Sequence, residues 1–335
     1  MERAKIIFLG DVSFSGQNRK ADKPFISDEI NEVFKNSDAV IANFESSVGF
    51  GLKKQELFQS DVTSVQNLKE CGITHAFLAN NHIYDYGYEG FQATVEATLD
   101  NGMQPVGLSQ HNGKDCRITS LELNGIKIGL LCCGWTKVVQ DLQQATQYWE
   151  YNEKEILSLI EESLPHYDHL ILVAHRGKMF VEYPFYKDRK AFKKYLNLGL
   201  SAIVCHHPHV VQAVECKNGQ LVAYSIGNFF FDSSEGHVQS SFSQEKQDTG
   251  VMISLTLSKE KLLKHKVIPV YKEAKKTMLL PAEKAESFNK HLRLISARTR
   301  SSLISTFFFS LQFAQFVLPH FIKVKLHHIG KSKNG

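Results

Sequence analysis

Ile6-Ile7-Phe8-Leu9-Gly10-Asp11 is a short apolar run that stops on a glycine and a carboxylate. An unbroken run of this length reads as a strand buried on both faces. Four more runs end the same way. Ala39–Ala42 leads into Asn43-Phe44-Glu45, and His75–Ala79 into Asn80-Asn81-His82. Leu170–Ala174 leads into His175-Arg176-Gly177, and Ser201–Cys205 into His206-His207-Pro208-His209. Between the runs, Phe25–Lys35, Val62–Cys71, Glu89–Asn101, Glu153–Leu164 and Tyr186–Leu198 have helical spacing and mostly polar outer faces. This alternation predicts an α/β fold with helices covering a sheet. Asn124-Gly125 and Asn218-Gly219 predict hairpins within Arg117–Cys132 and Val211–Tyr224. Val251–Leu257 and Lys266–Tyr271 alternate like further half-buried strands. In open α/β sheets, ligands bind outside the carboxyl ends of the strands, so the five clusters are expected to share one edge.

The 335-residue chain is 43% apolar and 22% charged, the composition of a globular protein with a sizeable core. A net charge of +4 asks for no nucleic-acid partner, while 15 histidines exceed what packing needs. Six scattered cysteines with no CxxC pair favour reduced thiols. The strand-like run at Lys5 leaves no room for a signal segment, so a cytoplasmic protein is expected. Residues 303–322 are rich in Phe and Leu, are interrupted by Gln312 and Gln315, and are flanked by Arg298, Arg300, Lys323 and Lys325. The interruptions argue against a membrane span. Three readings stay open: a helix docked on the domain, peripheral membrane association through 303–325, or a partner-binding helix.

Asp11 and Glu45 offer carboxylates, one of which can bridge two cations. His175, His207 and His209 offer neutral nitrogens, and an Asn amide oxygen completes a shell. Such a mixed O/N set suits Mn, Fe or Zn better than Ca. Each cluster also has a plain reading: Gly-Asp as a turn, Asn80-Asn81-His82 as a helix cap, Arg176 and Lys178 as solvated charges beside an anion clamp's position. Singly these suffice, but five strand ends carrying such groups ask for a common cause.

Six stretches carry a family resemblance: FLGDVSFSG, ANFESSVG, LANNHIYDYG, the AHRG…EYP segment, HHPHVVQAVE and YSIGNFFFD, in order from about Lys5 to Asp232. The sequence resembles the CapA family of capsule or poly-γ-glutamate synthesis proteins, in the calcineurin-like metallophosphoesterase superfamily. The resemblance, which covers roughly the first 230 residues, implies a four-layer α/β/β/α sandwich, two mixed sheets flanked by helices, and the domain carrying it is expected over residues 1–275. A helical, aromatic and basic extension follows over 276–335. It further implies two divalent metal ions. Asp11 and His209 would bind the first, Asn81, His175 and His207 the second, and Glu45 would bridge them. His82 would be the proton donor, oriented by Asp85, with a bridging hydroxide as nucleophile. Arg176 and Asn228 are candidate substrate-side residues, Asn228 also as a group that orients a ligand loop.

One departure stands out. The family commonly has a Glu four residues after the first His of this set, where this chain has Met179, and Arg176 replaces a frequent Trp. Either Glu182 compensates, the substrate differs, or the second metal binds weakly. The implied function is a metal-dependent hydrolase or transferase acting on an anionic polymer or glycan-type substrate in capsule, poly-γ-glutamate or exopolysaccharide synthesis. A non-catalytic scaffold of a polymer-synthesis complex and a generic phosphodiesterase or phosphatase are the alternatives.

Overall fold

The computed structural model describes residues 2–15, 25–49, 58–111, 114–135, 149–232 and 244–318. Two mixed sheets form its middle. The first starts from parallel strands β1 (Ala4–Ser13), β2 (Ala39–Phe44), β3 (His75–Phe77) and β4 (Gln104–Val106), in that spatial order. The second contains β5 (Ile118–Leu123), β6 (Ile126–Gly134), β7 (His169–His175), β8 (Ala202–His206), β9 (Val214–Lys217) and β10 (Gln220–Ala223). Its spatial order is β5-β6-β7-β8-β10-β9, parallel in the middle and closed at each edge by an antiparallel hairpin. Both hairpins turn on the predicted Asn-Gly pairs. Asn124 and Gly125 have φ of 52° and 75°, and Asn218 and Gly219 have 54° and 76°, as a type I′ turn requires.

The chain then returns to the first sheet. β11 (Asn228–Phe231) pairs parallel with the end of β1, where Asp11 faces Asn228. The antiparallel strands β12 (Thr249–Leu257), β13 (Leu262–Glu273) and β14 (Lys276–Leu279) complete an eight-stranded sheet. Lys276–Leu279 is thus sheet, and the helical part of the C-terminal segment starts at Ala282.

The period-2 rule separates the layers. In β7, Ile171 and Val173 join the large core shared with the first sheet, whereas Leu170, Leu172 and Ala174 face a second core. In β8, Val204 points to the first core and Cys205 to the second, which keeps that thiol away from the strand-end clusters. The second core is closed by α4 (Glu153–Ser163) and α5 (Tyr186–Leu198) through Ile156, Ile160, Phe192 and Tyr195. Helices α1 (Asp28–Lys35), α2 (Val62–Glu70) and α3 (Gly87–Asp100) contribute Ile30, Phe34, Leu68 and Phe91 to the first core. The result is a four-layer α/β/β/α sandwich of two mixed sheets flanked by helices.

α6 (Ala282–Arg300) and α7 (Ser302–Gln312), extended by a π-helical turn to Val317, dock on the domain. Ile295, Val317 and the partly buried Phe308, Phe309 and Phe313 pack on Val181, Tyr183 and Ala213. The docked-helix reading therefore holds as far as 318, and the remainder of 303–325 lies outside the described residues. No helix among the described residues is long and apolar enough to cross a membrane.

Candidate metal centre

The five strand ends do not share the edge of one sheet, as the open-sheet analogy predicts. β1, β2 and β3 belong to the first sheet, and β7 and β8 to the second. They still meet, because stacking two sheets brings their carboxyl ends to one rim. His206 of β8 fastens the rim, its Nε2 lying 3.0 Å from the Leu9 carbonyl oxygen. Close approach also demands glycine there: a β-carbon on Gly10 would lie 2.1 Å from the Gly227 carbonyl oxygen, and one on Gly134 1.7 Å from that of Ala79.

At this rim Glu45 is the common member of two triads. Ligand atoms of Glu45, His175 and His207 lie within 4.8 Å of one another, and so do those of Asp11, Glu45 and His209. Asn81 Oδ1 lies 2.6 Å from His175 Nε2, on the side of the first triad. Asp11, Glu45 and His175 are fully buried, while His207 and His209 keep a sliver of exposure. Neither oxygen of Glu45 has a hydrogen-bond partner among the described residues. A buried carboxylate in that condition carries an uncompensated desolvation cost of several kcal/mol, roughly, which a cation would offset. The donor set therefore fits divalent metal ions.

Electrostatics agree. Burial, reinforced by Asp11 and Asp85, pushes the Glu45 carboxyl well above the usual range, against the opposing pull of His209. Burial would also raise Asp11, but the hydrogen bond and charge of His209 outweigh it and hold that carboxyl below its usual value. Burial and the neighbouring imidazoles drive His175 far down, and burial takes His207 down to about 3, so both rings are neutral and have lone pairs to give. His209 differs: burial alone would lower it, yet Glu45 and Asp11 lift it to about 9, so this pair of carboxylates attracts positive charge. Its Nδ1 lies 3.0 Å from Asn228 Oδ1, which suits Nδ1–H donation and leaves Nε2 facing Glu45 at 3.6 Å.

The loop carrying two of these histidines is strained. His207 and His209 both sit at positive φ, 95° and 57°. Each such placement of a non-glycine residue costs about 1–3 kcal/mol, and strain of this kind clusters at functional sites.

His82 lies beside the cluster, with Nε2 4.0 Å from Glu45 Oε1. On the ring's other side Nδ1 is 2.7 Å from Asp85 Oδ2, which also accepts the Phe58 amide at 2.6 Å. Phe58 stacks on the imidazole at 3.7 Å. The ring is therefore held with Nε2 toward the cluster.

The structure does not bring Arg176 there. Its guanidinium donates to Asp188 and lies over the Tyr151 ring, 3.6 Å from the centroid. Asn228 touches His209 and the Gln247 carbonyl oxygen rather than an open surface. Nor does Glu182 stand in for Met179. Its carboxylate turns away to Lys246 at 2.6 Å, His291 at 2.8 Å and Gln312 at 3.0 Å, because the C-terminal helices bring the last two donors to it.

Two members of the strand-end clusters, Asn43 and Asn80, have no role of their own in the sequence reading. Asn43 donates to Asp11 Oδ1 at 2.7 Å and has its Nδ2 3.1 Å from His175 Nδ1. Asn80 donates to the Asn43 side chain and the Phe44 carbonyl, and accepts the His82 amide. Both stand beside residues already singled out, and polar side chains at the end of a buried strand were the available signal. Aromatic groups line the same rim: Trp135, half exposed, is edge-on to His207, and Phe231 lies 4.8 Å from His209.

Known proteins share this arrangement of chain. Two solved structures have the same fold. One is described as a hypothetical protein from Thermus thermophilus, with a TM-score of 0.52, 18% identity, and cover of 80% of this chain and 100% of that one. The other is described as a 5'-nucleotidase from Staphylococcus aureus in complex with alpha-ketoglutarate, also at 0.52, with 11% identity, 87% of this chain and 58% of that one. Among curated relatives, the PGA biosynthesis protein CapA of Bacillus subtilis (strain 168) is 28% identical over 240 residues, 67% of this chain and 62% of its own length. The capsule biosynthesis protein CapA of Bacillus anthracis is 27% identical over 251 residues, 69% of this chain and 60% of its own. The chain thus spans about three fifths of the length of these relatives. Residues 5–233, which hold every residue of the rim cluster, match the family of bacterial capsule synthesis protein PGA_cap, and the chain belongs to that family.

Proposed function

We propose that this chain is a metal-dependent hydrolase or transferase of capsule, poly-γ-glutamate or exopolysaccharide synthesis, acting on an anionic polymer or glycan-type substrate. The observation that carries the reading is Glu45: buried, without a hydrogen bond among the described residues, and common to two triads of ligand atoms. Asp11, Glu45 and His209 would hold one divalent ion, and Glu45, Asn81, His175 and His207 a second, with Mn, Fe or Zn the metals this donor set suits. Bound there, such ions supply polarisation of a phosphoryl or carbonyl oxygen and a lowered pKa for water.

The chain's own residues supply the rest. Asn43 bridges Asp11 and His175 and keeps the two halves of the site in register. Asn228 holds the His209 ring so that Nε2 faces the cluster. His82 keeps Nε2 toward the site while Asp85 stabilises the protonated ring, an arrangement able to deliver a proton to a leaving group. Trp135 and Phe231 place aromatic rings against His207 and His209. Arg176, engaged by Asp188, is not free to bind an anionic substrate.

The test is metal analysis of the purified chain combined with turnover. About two Mn, Fe or Zn ions per chain together with cleavage of a poly-γ-glutamate, glycan or aryl phosphate substrate supports the reading. A chain that takes up no metal at neutral pH overturns it in favour of a scaffold role.

A further inference from the structure

Helix α7 uses only one of its two apolar faces. Ser305, Phe308, Phe309 and Phe313 are turned to the domain, with Phe308 stacked on Tyr183 at 5.2 Å. The opposite face carries Leu303, Phe307 and Leu311, four residues apart, and Leu318 beyond them. Leu303 is 86% exposed, Phe307 63% and Leu311 51%. Of eleven large hydrophobic side chains exposed among the described residues, five fall between Leu303 and Leu318. That is a patch, and patches of this kind mark contact surfaces.

Charge says what kind of surface. From Ser287 to residue 335 the sequence has eight Lys or Arg and no Asp or Glu, against +4 for the whole chain, so the first 286 residues are net −4. A second cationic element adjoins the patch. At the start of α5, Phe185 packs on Phe309 of α7 at 5.4 Å, and the neighbouring Tyr186 is half exposed. Lys187, Lys190 and Lys193 of α5 face solvent, whereas its one acid, Asp188, is buried against Arg176.

We propose that this face docks the protein onto an anionic lipid surface, with Leu303, Phe307 and Leu311 entering the headgroup boundary and the exposed lysines of α5 facing lipid phosphates. Apolar anchors beside a row of exposed lysines are what such an interface requires. A second copy of the same face would set cations against cations, which disfavours self-association. The face shares no residue with the metal cluster, so membrane docking can fail while the hydrolase reading stands, and the reverse.

The experiment is co-sedimentation of the full chain with phosphatidylcholine vesicles, with and without roughly one third phosphatidylglycerol. Binding to the anionic vesicles is expected to be about tenfold or more tighter than to neutral ones, and to weaken several-fold from low to high salt. The double substitution Phe307→Ser with Leu311→Ser, at exposed positions, should lower it by ~10-fold or more while leaving the melting curve in place. Should that variant misfold, Lys187→Glu with Lys190→Glu tests the charge arm alone, with a several-fold loss expected. Equal binding to both vesicle types, no vesicle binding, or a dimer that the Ser variant dissolves would each overturn the proposal.

Discussion

Glu45 and Glu182 are both buried glutamates within the same molecule, and they are held in opposite ways. Glu45 has no hydrogen bond to either oxygen among the described residues and is pushed well above the usual carboxylate range by burial. Glu182 is almost as well hidden, yet Lys246, His291 and Gln312 contact its oxygens, and the bonds from His291 and Lys246 outweigh burial and hold its carboxyl low. Burial alone therefore does not mark function. A carboxylate whose partners all come from the chain itself fastens structure, here the C-terminal helices to the loop at Glu182. One that lacks such partners, with histidines gathered around it, is arranged for a cation.

The sharpest way to break this contrast is Glu45→Gln. Metal content is expected to fall from about two ions per chain to less than one, and turnover by roughly 10³-fold, read by elemental analysis and activity. The metal-free variant should be no less stable than the metal-free parent, because the carboxyl it replaces makes no hydrogen bond among the described residues. A lower melting point would mean that Glu45 has partners after all.

Next in size is His82→Ala, expected to cost ~10²- to 10⁴-fold in turnover while metal stays bound. Loss of metal instead would move His82 from proton delivery to ligation. Asn43→Ala should weaken metal affinity about 10- to 100-fold, measured by titration against a chelator, as removal of a group that orients ligands does.

Glu182→Ala tests the other half of the contrast. Metal content should not change, while stability drops by about 1–2 kcal/mol, a modest figure because Lys246 and His291 are themselves nearly half exposed. The smallest effect is in pH. Glu182 has a lowered carboxyl, so its contribution is present above the ordinary glutamate value near 4.5 and is lost as pH falls through the folded value. Acid melting curves of the parent and Glu182→Ala should converge below that point; parallel curves would remove Glu182 from the account.

The legible part of this fold was local. Each parallel strand around the rim announces itself as an apolar run, and the two Asn-Gly turns are written in dipeptides that tolerate positive φ. The ends of those strands carry the chemistry, so Asp11, Glu45, His175, His207 and His209 could be picked out individually. Asn43 and Asn80 were not, because an amide beside a carboxylate reads as an ordinary strand end until the strand across the rim shows what it bonds to. Arg176 is the reverse case. A cation next to His175 invites an anion-binding role, and only packing reveals that Asp188, twelve residues on and one helix away, already holds it.

By itself the sequence determined which segments become buried strands and which ligand types stand at their ends, since both depend on short-range patterning and side-chain chemistry. Tertiary structure alone decided that the strand ends divide between two sheets, that the two triads share Glu45, and that Glu182 serves the C-terminal helices. These outcomes depend on groups as much as 130 residues apart, as with Glu182 and Gln312, and no local pattern encodes which distant donor reaches a buried carboxylate first.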